Sequence, residues 1–182
     1  DVMRGIPYLL KATGAERAII AVESNKPDAA ESLSAAIPGG APITVEILPV
    51  KYPQGAEKML ITAVLGRDVP SGGLPLDVHV VCVNVGTTAE IGKLLPNGMG
   101  LQERVITVGG PAVKKKGNYR IPIGTTLRYI LETVGTEDDI ATVIMGGQMM
   151  GNAASSMDIP ITKGSCGVIA FSQSDTSQMV SR

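Results

Sequence analysis

Lys51-Tyr52-Pro53-Gln54-Gly55-Ala56-Glu57-Lys58 opens the stretch on which the reading of this chain turns. A helix follows, then the turn-rich Val69-Pro70-Ser71-Gly72-Gly73-Leu74-Pro75 and a strand that ends in Cys82-Val83-Asn84-Val85-Gly86-Thr87. Two polar, glycine-containing turns thus fall where a sheet strand hands over to a helix. In open α/β sheets that edge, at the carboxyl ends of the strands, is where nucleotide-like ligands bind. Gly55 lets a flat ligand approach backbone N–H groups at a helix start. Glu57 falls in the first turn of that helix, where the dipole stabilises a carboxylate by a few tenths to ~1 kcal/mol even without a ligand. At the second turn Thr87 reads as an N-cap and Asn84 as a partner for local backbone groups, or both as ligand contacts.

Upstream, Val2, Ile6, Leu9 and Leu10 recur at helical spacing and Gly14 suits a C-cap, so residues 2–13 are expected to be a helix. Ala18-Ile19-Ile20-Ala21-Val22 is a continuous apolar run of the kind found in strands covered on both faces. Pro27 suits a first helical turn before the body Ala29 to Ala36, and Ile43 to Val50 is the next expected strand. This alternation predicts a parallel or mixed sheet with crossover helices. Gly55 to Leu65 is the second crossover helix, Gly66 to Asp77 a loop long enough to cover a site, Val78 to Val85 the third strand and Thr87 to Leu95 a short helix. His79, the only histidine, lies on that third strand without a carboxylate or nucleophile beside it and reads as a packed or edge residue.

Pro96 to Gly100 is a linker by composition, and the pattern then changes. Glu103 to Val108 and Asn118 to Ile123 read as strands, Ala112-Val113 as a short extended piece, and Thr125 as the N-cap of a helix that stops at Gly135. With a returning strand, Thr142 to Met145, this is a small β-grasp-like unit. Lys114-Lys115-Lys116 reads as a solvated hairpin tip. Met145-Gly146-Gly147-Gln148-Met149-Met150-Gly151 reads as a tight return of the chain onto the first domain. Ile159-Pro160-Ile161 and Gly167 to Phe171 follow as short extended segments, with a turn at Lys163-Gly164-Ser165 and a polar tail.

The chain has 182 residues, 44% of them hydrophobic, which is enough for one large or two small domains with a real core. With no Trp, one Phe and four Tyr, core volume must come from aliphatic residues, the usual filling of α/β layers. A net charge of -1 supplies no basic field and argues against nucleic acid as a partner. Cys82 and Cys166 form no C-x-x-C; a reduced, buried Cys82 is expected, in a reducing compartment, with no cysteine-ligated cluster and no metal site within these residues. No apolar run reaches the ~20 residues of a spanning helix and no signal peptide opens the sequence, so no direct membrane insertion is expected. The abrupt start at Asp1 reads as that of an excised fragment.

Together these blocks resemble the C-type subunit of the Rnf electron-transport complex, a relative of the flavin-carrying, NADH-oxidising subunit of respiratory complex I. The resemblance rests on Lys51 to Lys58, Gly66 to Pro75, Asn84-Val85-Gly86-Thr87 and Met145 to Gly151. The stretch from Arg104 to Thr125 is similar to the SLBB module, a β-grasp unit. The implied fold is an open layered α/β sheet with crossover helices, a partial nucleotide-binding domain, followed by the SLBB unit. The implied domains are 1–99, the C-terminal part of an FMN- and NADH-binding domain; 100–140, the SLBB unit; and 141–182, a return segment packing on the first domain.

The resemblance also implies cofactor-binding residues. Tyr52, Gly55 and Glu57 match a Tyr-x-x-Gly-Glu-Glu turn that packs on flavin and nicotinamide nucleotide, with Ala56 in place of the first Glu. Asn84 and Thr87 match an Asn-Val-x-Thr turn that contacts the ribityl and phosphate portion of the flavin. The rings carry the hydride chemistry, so no catalytic acid/base pair is called for. The family's glycine-rich phosphate loop and acidic ribose-binding turn lie upstream of Asp1, and its iron–sulfur segment lies downstream.

The implied function is part of an electron-transfer flavoprotein subunit that oxidises NADH through FMN. It passes electrons to iron–sulfur centres of a membrane-associated complex, whose other subunits are its partners, at the cytoplasmic face of the membrane and peripheral to it. The alternative is a module that binds a small, cobalamin-like ligand, or that docks neighbouring subunits, without catalysis of its own.

Overall fold

The apolar face of the first helical stretch folds as α1, Val2–Thr13, closed by Gly14 in the left-handed conformation at φ 72°, where its N–H donates to the Leu10 carbonyl. The computed structural model describes residues 1–137 and 140–180, the last four by their backbone alone. The chain divides into two units, Asp1–Gly100 and Leu101–Arg182.

In the first unit, β1 (Ala18–Glu23) and β2 (Ile43–Leu48) pair in parallel from Ala18 opposite Ile43 to Glu23 opposite Leu48. They are joined through α2 (Pro27–Ala35), with Pro27 in its first turn. The next helix, α3, runs Glu57–Leu65 and is stopped by left-handed Gly66. The third strand expected over Val78 to Val85 does not form. Pro75–Val78 is a single 3-10 turn, closed by the Asp77 carboxylate accepting from the Leu74 N–H at 2.8 Å. His79 stands beyond it at φ 56°, and its N–H and that of Val80 donate back to Leu76 and Pro75. Turn bonds therefore consume the backbone donors at this end, and Asn84 already caps the next helix, α4 (Val85–Leu94). His79 is thus a turn residue, not a packed or edge residue of a strand.

What sets α4 in place is a crossing with α1 at which two glycines leave no room for side chains. A Cβ on Gly5 would overlap the Thr88 carbonyl, and one on Gly92 would overlap the Asp1 carbonyl and crowd the Gly5 nitrogen. Because the obstructing atoms are backbone, neither helix can yield without moving as a whole. Thr88, 5% exposed, is sealed into this contact, and its hydroxyl donates to the Asn84 carbonyl at 3.2 Å.

The second unit is one five-stranded mixed sheet. β3 (Glu103–Gly109) pairs antiparallel with β4 (Gly117–Pro122) on one side and parallel with β7 (Gly167–Ser172) on the other. β5 (Ile140–Met145) lies antiparallel to β7 and carries the two-residue β6 (Asn152–Ala153) at the far edge. Leu127, Ile130, Leu131 and Val134 recur at i, i+3, i+4 and i+7 on α5 (Leu127–Val134) and are all buried, in one cluster with Ile106, Val108, Val143 and Val168. The N-cap of α5 is Thr126, one residue later than the expected Thr125. Lys114 and Lys115 keep exposed side chains, but their N–H groups donate to Gly135 and Val134, satisfying carbonyls at the end of α5.

The segment from residue 141 on, expected as a separate return segment, supplies β5, β6 and β7 to the second sheet. The apolar run Gly167 to Phe171 cannot leave both faces in water, so β7 takes a central place between β3 and β5. The Met145 to Gly151 turn is the hairpin between β5 and β6, packed so tightly that a Cβ on Gly151 would lie 2.6 Å from Gly147 and Met145 carbonyl oxygens. Where a polar tail was expected, α6 (Gln173–Val180) forms. Ser172 and Asp175 exchange N-terminal caps there, which holds the Asp175 carboxyl below its ordinary value, chiefly through the Ser172 hydroxyl.

Gly92→Ala should destabilise the protein by about 3 kcal/mol or more, the upper range for overpacking, whereas Gly39→Ala, with open space at its Cβ, should be near neutral. Urea unfolding midpoints check this; equal midpoints for the two variants would contradict the tight crossing.

Candidate functional site

Lys51 to Ala56 fold as two successive turns, with the Gln54 N–H donating to Lys51 at 2.9 Å and the Ala56 N–H to Pro53 at 2.8 Å. The Tyr52–Pro53 peptide is cis. The turns alternate outward and inward: Tyr52 is 62% exposed, Gln54 only 3%. A Cβ at Gly55 would meet no atom within 4 Å, so a ligand can reach the backbone there. Ala56 stands at the N-cap of α3 without a side-chain acceptor, which leaves the first amides of the helix uncapped beside the exposed Glu57.

The loop after α3 is pinned back along it. Lys58 donates to the Pro70 carbonyl at 3.2 Å, Thr62 to Asp68 at 3.0 Å and Arg67 to the Val78 carbonyl at 3.0 Å. This holds the loop as far as Val78, six residues before the second turn. There the Asn84 Oδ1 accepts from the Gly86 N–H at 2.9 Å, so Asn84 is the N-cap of α4, and Thr87, expected in that role, lies half-buried in the first turn. No acidic residue occupies the first turn of α4, in contrast to α3.

The predicted residues therefore sit in two groups: Tyr52, Gly55 and Glu57 at the start of α3, Asn84 and Thr87 at the start of α4. One electrostatic link joins these regions. The Cys82 thiol is pushed above its ordinary value, first by burial and then by the Glu57 carboxylate. Cys82 is half-buried rather than sealed.

Sequence reasoning passed over Gln54, whose Nε2 and Oε1 are both buried without a hydrogen-bond partner. The only signal for it was its place between Tyr52 and Gly55. In the second unit an open depression of about 300 Å³ lies between α5 and Met157, with Arg128 and Glu132 at its rim. It involves none of the predicted residues. Among the described residues no group of His, Cys, Asp or Glu is arranged to hold a metal ion, and no helix is long and apolar enough to cross a membrane.

The link between Glu57 and Cys82 has a measurable consequence. In a Cys166→Ser background, alkylation of Cys82 by iodoacetamide should rise with pH along a profile displaced above that of a free thiol. Glu57→Gln should move that profile down part of the way, since burial remains. The raised thiol also sets a sign for stability: its contribution is intact below the ordinary thiol range and is lost as pH climbs through the folded value. A profile unmoved by Glu57→Gln would separate the two regions.

A sequence profile described as the Nuo51 FMN-binding domain matches residues 1–93, and one described as the SLBB domain matches residues 105–153. The chain is 43% identical over 175 residues to the C-type subunit of the proton-translocating ferredoxin:NAD(+) oxidoreductase complex of Clostridium ljungdahlii, covering 96% of this chain and 38% of that protein. It is 40% identical to the corresponding subunit of the Na(+)-translocating ferredoxin:NAD(+) oxidoreductase complex of Acetobacterium woodii, covering 94% and 39%. The chain thus spans well under half the length of these relatives. A crystal structure of an NAD+-reducing [NiFe]-hydrogenase in the air-oxidized state shares the fold, with a TM-score of 0.67 at 19% identity, over 95% of this chain and 36% of that one. With the profile match running through α1, β1, β2, α3 and most of α4, this chain belongs to the Nuo51 FMN-binding domain family and carries an SLBB domain behind it.

Proposed function

We propose that this chain contributes part of an FMN and NADH site to a flavoprotein subunit that oxidises NADH and sends the electrons on to iron–sulfur centres. What supports the reading is the match of residues 1–93 to the Nuo51 FMN-binding domain, with the open backbone at Gly55 and the acid-free start of α4 as its local features. In this reading one planar ligand meets both turns.

The residues fit such a ligand in distinct ways. Tyr52 presents an exposed ring for stacking, and the open space at Gly55 admits a ring plane to the backbone. Glu57 accepts hydrogen bonds from sugar hydroxyls and repels phosphate, so it suits the nucleoside end of NADH. The start of α4, free of acid, suits a phosphate through its dipole and amides, and the Nδ2 of Asn84 is the part of that side chain not engaged in capping. Thr87 adds a hydroxyl in the same turn. When bound, FMN supplies the chemistry that couples a two-electron donor to one-electron carriers. The chain's own residues stack, orient and hydrogen-bond, and none is required to carry a proton.

The remaining length that the relatives possess is where this reading places the rest of the site and the iron–sulfur centres. The partners are the other subunits of a membrane-associated oxidoreductase complex, and the location is peripheral, at the cytoplasmic face of the membrane.

A second reading rests on the SLBB unit: it captures a ligand such as a corrinoid while the first unit serves as scaffold. The two readings diverge under titration of the full-length protein. The first expects a yellow protein whose flavin absorbance bleaches with NADH. It also expects Tyr52→Ala and Asn84→Ala each to weaken FMN binding about tenfold, the loss of one good contact, and Glu57→Ala to raise the KM for NADH. A colourless full-length protein that instead binds cobalamin would overturn it.

A further inference from the structure

We propose that Gln54 is a positioning residue that recognises an amide-like edge of the bound cofactor, a C=O beside an N–H, by turning out of the interior when that cofactor arrives. The inference rests on the flavin and nicotinamide site proposed above. Its starting point is an imbalance in the free protein. The Gln54 side chain is 3% exposed, yet neither its Nε2 nor its Oε1 has a partner. A primary amide brings two donors and an acceptor into the interior. Leaving them unmet penalises the folded state, whereas an apolar side chain of the same shape would fill the volume without that penalty.

The surroundings say where relief is available. The backbone of Gln54 is held by its own N–H bond to Lys51 and by the bond from Ala56 to Pro53, so a change must come from side-chain rotation rather than from the turn. Its neighbours are the exposed ring of Tyr52 and Gly55, whose missing side chain leaves clear space. A carboxamide places a donor beside an acceptor, so its complement is a group that does the same. A phosphate offers only acceptors, which engage only half of it. Adenine pairs a ring nitrogen with its amino group, but two parts of the proposed ligands present a C=O beside an N–H: the pyrimidine edge of the flavin ring system and the carboxamide of nicotinamide. Either converts an unmet amide into a paired one.

The test is Gln54→Met in the full-length protein, a swap close in length and shape that removes both polar atoms. Thermal melting should be unchanged or higher, because the unmet amide is gone. Cofactor affinity should fall about tenfold, or ~1.4 kcal/mol, in one of two arms. Weaker FMN binding to the apoprotein, read by quenching of flavin fluorescence, assigns the flavin edge. Weaker NAD+ binding to the FMN-loaded protein by calorimetry, with ADP-ribose binding unchanged, assigns the nicotinamide. Wild-type affinities in both arms would overturn the proposal, as would a variant that melts lower or fails to fold. If the wild-type protein binds neither FMN nor NAD+, the proposed site itself is wrong and this role for Gln54 goes with it.

Discussion

The backbone contact between α1 and α4 is the constraint on which the first unit depends. Gly5 and Gly92 let the two helices meet where any side chain would overlap a carbonyl of the other, and Thr88 is sealed into the same contact. Contacts between backbones cannot be traded for a rotamer change, so the start of α4 has little freedom to drift. Asn84 caps that start and Thr88 bonds back to it. The position of the turn at Asn84 is thus set by two residues without side chains, one of them near the far end of the unit in sequence.

The two helix starts are built for different charges. The first turn of α3 carries Glu57 and lacks a capping side chain, while the first turn of α4 is capped by Asn84 and carries no acid. A dinucleotide or a flavin phosphate is itself asymmetric, with a flat, hydrogen-bonding end and an anionic end. An acid beside exposed Tyr52 favours the former and an acid-free amide array favours the latter. The Cys82 thiol, two residues before Asn84, is raised first by burial and then by Glu57.

Much of this was legible in the sequence where a local rule acts alone. Gly14 and Gly66 stop helices in the left-handed conformation as their positions suggested, and Pro27 opens α2. The apolar runs of β1 and β7 read as strands and form them, although β7 is buried along most of its length and β1 seals only Val22. The reading failed where local bonds compete with pattern. Val78 to Val85 alternates like a strand, but the bonds from Asp77, His79 and Val80 spend that backbone in a turn. Likewise Thr87 and Thr125 are good caps by type, yet Asn84 and Thr126 hold those places. The return of 141–182 into the second sheet depends on which strand needs two covered faces, a question of tertiary pairing that spacing alone does not answer. Gln54 was invisible because burial of a polar side chain leaves no mark in the sequence.

The central claim is that one ligand spans the starts of α3 and α4. Amide hydrogen exchange of the full-length protein, with and without saturating FMN and NAD+, tests it most directly. The account predicts that protection rises together over residues 52–58 and 84–88, while the strands β3 and β4 are unchanged. Protection confined to one turn, or appearing instead around α5 and Met157, would contradict it.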